Sequence, residues 1–188
     1  MKRSNHILLT LSALVLVSAL YRLIPGRPMG FAPQLAIAIF SGALFYRDKK
    51  WAFAMPLLSM FISDMLFEVL FRYNVTTMKG IYEGQVTNYI LLTAMSCFGF
   101  MAGKLKLAKI ALATFSAPTT YFLLSNFFVW FSGVGGLQRP QTMEGLMLCY
   151  NDALPFYQNN LIATALFASL FFGTWAIARA ANKKLASA

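Results

Sequence analysis

Residues 125–160 read SNFFVWFSGVGGLQRPQTMEGLMLCYNDALPFYQNN. An aromatic run ends at Trp130 and Phe131, a glycine-rich turn follows at Gly133, Gly135 and Gly136, and a second apolar run opens after Asn160. Between them Thr142 suits the N-cap of a short helix with Glu144 in its first turn. Met143, Leu146, Met147, Tyr150 and Leu154 recur at i, i+3, i+4, i+7 and i+11, an apolar stripe with Asn151 and Asp152 on the polar side. Pro155 is expected to stop that helix. Two apolar passages joined by a helix-bearing connection mark a membrane protein whose chemistry lies at one end of its spans. The connecting helix reads either as an amphipathic lid over a pocket mouth or as a helix resting in the head-group layer.

The remainder of the chain divides in the same way. Its 188 residues are 59% hydrophobic with mean hydropathy +0.62, more apolar sequence than one soluble core of this length needs. A spanning helix takes about 20 mainly apolar residues, and short basic or Gly/Pro punctuation cuts the chain into six such lengths, near 7–24, 31–46, 51–72, 86–103, 108–131 and 157–178. The expected fold is an all-α integral membrane protein, one six-transmembrane-helix bundle over residues 1–188. The second span is the shortest, and Ala36, Ala38, Ser41, Gly42 and Ala43 suit close packing at the centre of the bundle.

Sixteen basic against six acidic residues would point to nucleic acid in a soluble protein, but their placement argues otherwise. Eleven of the sixteen fall in the two tails and in the second and fourth loops: Lys2, Arg3, Arg47, Lys49, Lys50, Lys104, Lys106, Lys109, Arg179, Lys183 and Lys184. By the positive-inside rule both termini are cytoplasmic. The lipid bilayer is therefore the expected partner of the basic residues, and no nucleic acid is expected. Lys2 and Arg3 before an apolar run resemble a secretory signal, but its removal would leave five spans and break the charge alternation. Trp51 and Trp175 fall at the inner boundary and Trp130 at the outer one.

Catalytic patterns are missing: there is no GxSxG, HExxH or P-loop, and the one histidine, His6, sits at a membrane edge. An enzyme, a metal site or a cofactor is not expected. Cys97 and Cys149 fall at different depths, so no disulfide is expected between them. Asp64 and Glu68, four apart, share a helix face inside the third span, with Arg22 and Arg72 as candidate partners. Asp64 reads either as a packing contact between helices or as a ligand contact, and Glu68 as a solvated residue near the outer surface. Between the first two spans, RLIPGRPMGFAP (residues 22–33) has three prolines that fix an extended cap.

Polar and aromatic groups gather at the outer ends of the spans while the inner halves are plain apolar sequence. That asymmetry suits an outward pocket rather than a channel lined along its full depth. Asn126, Asn159 and Asn160 are the candidate hydrogen-bonding groups, Trp130, Tyr150 and Tyr157 the candidate walls, and Asp64 would orient a cationic or donor group. The reading is a substrate-binding or uptake component for a vitamin-like small molecule. Two alternatives stand beside it: a membrane scaffold that binds another protein, and a cation-coupled secondary transporter using Asp64.

The ordered segments RLIP, FAP, FSGALF, Ser63–Asp64, SNFFVW and TMEGLMLCYNDALPF, followed by Asn159, resemble a family of small, uncharacterised bacterial membrane proteins assigned to transport. The resemblance runs from Arg22 to about Gly173. That family is similar in size and six-span layout to the substrate-binding S components of energy-coupling factor (ECF) transporters. The likeness implies capture of a substrate from outside and an ATP-driven energising module as a partner. The AxxxA pattern with which many S components dock that module is missing from the first span, where Ala13 and Ala19 are six apart; Ala32 and Ala36 have the spacing, on the second span.

Overall fold

The computed structural model describes residues 2–103, 105–133 and 139–186. Gly135 and Gly136 lie outside the described residues, as do the side chains of His6, Lys2, Arg3, Lys104, Lys183 and Lys184. The described chain is all-helical: α1 (Lys2–Tyr21), α2 (Gln34–Leu44), α3 (Lys49–Arg72), α4 (Gln85–Ala94), α5 (Ser96–Met101), α6 (Leu107–Ser132) and α7 (Met143–Ala186). By length and composition three of these helices can cross a membrane, at Lys49–Arg72, Leu107–Ser132 and Met143–Ala180, and Ser12–Tyr21 and Gln34–Leu44 are shorter apolar helices. Large apolar side chains point outward along them, among them Leu112, Phe115, Ile162 and Ile177, the last 72% exposed. Water does not tolerate so much apolar surface on the long helices, so the chain is a membrane protein.

The core is built around α2. Every residue from Gln34 to Ala43 is buried, and α2 touches each of the other described helices. Small residues make this possible: a Cβ on Gly42 would overlap the Ser96 carbonyl of α5, and one on Gly99 would overlap the Ile39 carbonyl. Backbones that approach so closely gain dispersion contacts that bulky side chains would prevent. Phe40 then packs its ring against Phe172 at 5.2 Å and Phe171 at 5.8 Å on α7. The central place expected for this segment is what the structure shows.

Three boundaries differ from the sequence reading. The 31–46 stretch is helical for only 11 residues, because Pro33 precedes it and the chain turns at Phe45 to Asp48, where the Asp48 amide bonds the Phe45 carbonyl at 2.9 Å. The fourth stretch is two helices joined at Met95, whose amide bonds both Leu91 O (3.3 Å) and Leu92 O (3.1 Å), a tightened turn rather than an interruption. Pro155 does not end a lid helix: α7 runs through it for 44 residues. A proline removes one backbone bond, and a helix packed along its length against a neighbour tolerates that loss.

The short α2 creates a step. Ser41 Oγ donates to Ala52 O at 2.8 Å, holding α2 and α3 together at their shared turn. Since α2 has 11 residues and α3 has 24, α3 outruns it by roughly 20 Å at about 1.5 Å per residue. The connections 22–33 and 73–84 fold into that step.

Candidate functional site: a cavity over a buried ion pair

The floor of the step is the pair Arg22–Asp64. Arg22 closes α1 and reaches α3, where Nη1 donates to Asp64 Oδ1 at 2.6 Å, to Ser63 Oγ and to Met60 Sδ at 3.1 Å. The Asp64 side chain is 1% exposed. Its second oxygen accepts Gln85 Nε2 at 3.0 Å and Tyr89 Oη at 2.8 Å, both from α4. Gln85 and Tyr89 are four apart, so one face of α4 supplies both donors. A buried carboxylate is tolerated when paired and hydrogen-bonded in this way. A second chain of hydrogen bonds starts from the same helix, α4: Tyr121 of α6 donates to Asn88 Oδ1, and Asn88 Nδ2 donates to Tyr82 Oη at 2.6 Å. Burial pushes the Tyr82 phenol up from its ordinary pKa, with the Asn88 bond acting against it.

Beside Arg22 lies a cavity of about 270 Å³ walled by Leu23, Ile24, Pro25, Gly26, Arg27 and Met29 of the first connection, Phe67 and Leu70 of α3, and Val75, Thr76 and Met78 of the second connection. Arg27 fixes the first wall, donating Nε to Arg22 O at 2.9 Å and Nη1 to Phe31 O at 3.2 Å. Burial and then the neighbouring Arg22 cation lower its pKa from the ordinary guanidinium value. It stays charged nonetheless, because guanidinium does not deprotonate in proteins. The Arg22 guanidinium also sits 5.6 Å from the centre of the Phe67 ring, a cation–π contact at the cavity edge.

Close backbone approach fixes the second wall. A Cβ on Gly80 would overlap the Asp64 carbonyl, and the Ile81 amide donates to Glu68 Oε2 at 3.2 Å. Glu68, expected to be solvated, instead holds this loop with one oxygen and Arg72 Nε (2.9 Å) with the other. Both arginines suggested as partners by the sequence are paired, Arg22 with Asp64 and Arg72 with Glu68.

Asn126, Trp130, Tyr150 and Tyr157 lie where α6 meets α7 and the chain leading into it, while Asn159 faces the first connection and the Asn160 carbonyl bonds within α7. Asn126 donates Nδ2 to Phe122 O at 2.8 Å, and its carbonyl accepts the Cys149 thiol at 3.5 Å. Trp130 Nε1 donates to Pro140 O at 2.9 Å, and Tyr150 Oη to Leu123 O at 2.9 Å. Tyr157 shares a hydroxyl hydrogen bond with Thr119 (2.9 Å) and stacks on Phe122 at 4.7 Å. Asn159 Nδ2 donates to Met29 O at 2.9 Å, and Asn160 O accepts Thr164 Oγ1 at 2.6 Å. Rising numbers on one helix meet falling numbers on the other, so α6 and α7 form an antiparallel hairpin.

Thr142 does cap α7, accepting the Gly145 amide at 3.2 Å. The face turned inward, however, is the small-residue line Gly145, Cys149 and Ala153, while Met143 and Met147 are 73% and 63% exposed. A helix in lipid turns its bulky apolar residues outward and its small ones to its neighbour, the reverse of the amphipathic rule for water. Among the described residues none of the seven sequence candidates lines the cavity. Asp64 adjoins it through Arg22, and Asn159 through the Met29 carbonyl.

Sequence reasoning passed over Arg27, Gln85 and Phe67. The signal for Gln85 was its spacing of four from Tyr89, and that for Arg27 was a cation held between Pro25 and Pro28.

The model of DUF6580, a family of unknown function, matches residues 2–186, so the chain belongs to that family. Comparison with curated proteins and with solved structures finds no match.

Proposed function

We propose that this member of the family is a membrane-embedded binding component that captures a small molecule in the cavity beside Arg22 as a first step of uptake. The observation that carries the reading is the cavity of about 270 Å³, set over an ion pair whose carboxylate has both oxygens engaged and walled by two connections that are each pinned to the bundle. Such an arrangement is pre-organised: a few fixed polar groups orient the ligand and apolar side chains cover it. The vitamin-like ligand, the six-span bundle with both termini cytoplasmic, and an ECF-type energising module as partner belong to the same proposal. The charge alternation between loops supports the orientation, and the resemblance to S components supports the module.

Asp64 acts in this reading as the anchor of Arg22, not as a cation carrier. Its oxygens already accept Arg22, Gln85 and Tyr89, so a transported cation would have to displace a guanidinium. Asn126, Trp130, Tyr150 and Tyr157 serve to close the hairpin that backs the site, and Asn159 ties that hairpin to the first connection through the Met29 carbonyl.

The test is native mass spectrometry of protein purified in mild detergent, with identification of any small molecule released on denaturation. Val75 lines the cavity from an exposed position, so Val75→Trp narrows the cavity without disturbing the core. A stoichiometric metabolite present in wild type and lost in Val75→Trp is the expected result. Release of lipid alone from both proteins, with no thermal shift from a vitamin panel, overturns capture and moves the scaffold reading ahead.

A further inference from the structure

The charges around the cavity do not balance. Arg22 and Arg27 are the two charged residues among those that line it. One carboxylate, Asp64, lies against Arg22, and no ion pair to Arg27 is found among the described residues. The partners of Arg27 are two backbone carbonyls, which accept hydrogen bonds without neutralising charge. One formal positive charge is therefore left on a half-buried wall, where opposite charge is worth more than in water.

The donors point the same way. Arg22 uses only Nη1 in its bonds to Met60, Ser63 and Asp64, so Nη2 and Nε have no hydrogen bond among the described residues. Arg27 uses Nε and Nη1, leaving Nη2. Two guanidiniums with unused N–H groups on one cavity form the pattern that receives carboxylate or phosphate oxygens. Phe67, Leu70 and Val75 supply an apolar wall opposite. At about 30 Å³ per water, a volume near 270 Å³ is roughly nine waters, room for a ring or short chain bearing one anionic group.

We propose that the cavity binds a small organic anion, a carboxylate or a phosphate monoester, with its charged end on Arg27 and the free edge of Arg22 and its apolar part against Phe67 and Leu70. This rests on the capture reading and assigns the class of ligand. A cationic molecule would add to the surplus charge, and a neutral one would leave it uncompensated. The same chemistry is offered by the head group of an anionic lipid, so the experiment separates the two sources.

Protein in phosphatidylcholine nanodiscs is titrated calorimetrically with benzoate, phenyl phosphate and uncharged benzamide, in wild type, Arg27→Gln and Arg27→Lys. One of the two anions should bind, with benzamide at least about tenfold weaker; Arg27→Gln should lower the anion affinity about ten- to a hundredfold and Arg27→Lys should restore part of it. Recovery by Lys excludes simple loss of the loop as the cause. Displacement of the bound anion by phosphatidylglycerol in the disc, in wild type but not in Arg27→Gln, supports the site and identifies the lipid head group as its occupant. Benzamide binding equal to benzoate, an unchanged affinity in Arg27→Gln, or no binding of either anion overturns the assignment. Release of a neutral or cationic metabolite in native mass spectrometry also overturns it while leaving capture standing; loss of capture shows instead as no metabolite of any charge.

Discussion

Removing one member of the Arg22–Asp64 pair should be far worse than removing both. The Asp64 side chain is 1% exposed and that of Arg22 14%, so Asp64 left alone is a charge with almost no water to solvate it, and Arg22 left alone is solvated only from the cavity side. Breaking such a pair typically costs about 3–5 kcal/mol, whereas removing both charges costs much less. Arg22→Met leaves a buried carboxylate with Gln85 and Tyr89 as its remaining donors. Asp64→Asn keeps the shape but sets an amide nitrogen against Gln85 Nε2 or Arg22 Nη1, one donor facing another. At about 2–4 °C of midpoint per kcal/mol for a chain of this size, each single variant should unfold roughly 6–20 °C below wild type. The double variant Arg22→Met/Asp64→Asn should recover at least about 2 kcal/mol relative to the sum of the single losses. The assay is tryptophan fluorescence against temperature in one detergent for all four proteins. Additive losses would show that the two residues do not act as a pair, and single losses below about 1 kcal/mol would show that the site is wet.

Two glycines should respond in opposite directions to the same substitution. Gly42→Ala drives a methyl into the Ser96 carbonyl and should destabilise by about 2–3 kcal/mol, whereas Gly173, in α7 with open space around it, should gain about 0.5–1 kcal/mol as Ala; thermal midpoints of the two variants check both signs. Because α7 has 44 residues, about 66 Å at 1.5 Å per residue against a hydrocarbon layer of about 30 Å, its ends should emerge on opposite sides. Single cysteines replacing Met143 and Ala180, in a background with Cys97 and Cys149 changed to Ala, should react with an impermeant maleimide from opposite faces of sealed vesicles; labelling from one face sinks the spanning assignment.

The class of fold was legible because it follows from composition and from the spacing of apolar runs, which burial in any particular partner does not alter. Three features could not be read this way. The length of α2 depends on where Pro33 and the turn at Phe45–Asp48 cut an otherwise apolar stretch, and hydropathy is blind to that cut. The orientation of α7 about its axis was misread because the stripe of large residues, Met143, Met147 and Leu154, would face a core in water, while here Gly145, Cys149 and Ala153 take that side. The partners of Asp64 were legible in part: a carboxylate inside an apolar helix needs a cation, and Arg22 was one of the two candidates in the sequence, Arg72 the other. Gln85 and Tyr89 were hidden, since their approach depends on Gly80 letting residues 73–84 fold back onto α3.

The ion pair and the cavity are linked by geometry. A free arginine at the end of α1 would extend toward water, because its stem is flexible and its head strongly solvated. Asp64, itself held by two donors from α4, draws Nη1 of Arg22 down to α3, and the planar guanidinium then presents its other edge in one direction. The Phe67 ring lies beside it, 5.6 Å from ring centre to guanidinium carbon, and restricts its movement. The carbonyl of Arg22 meanwhile receives Arg27 Nε, so the position of the second cation is set by the backbone of the first. A single buried carboxylate thus orients both guanidiniums. Asp64→Glu, which keeps the charge but displaces the carboxylate by one methylene, should then lower anion affinity in the same calorimetric titration without touching the ligand, by moving Arg22 rather than by removing a contact. An unchanged affinity would show that Arg22 does not depend on Asp64 for its position.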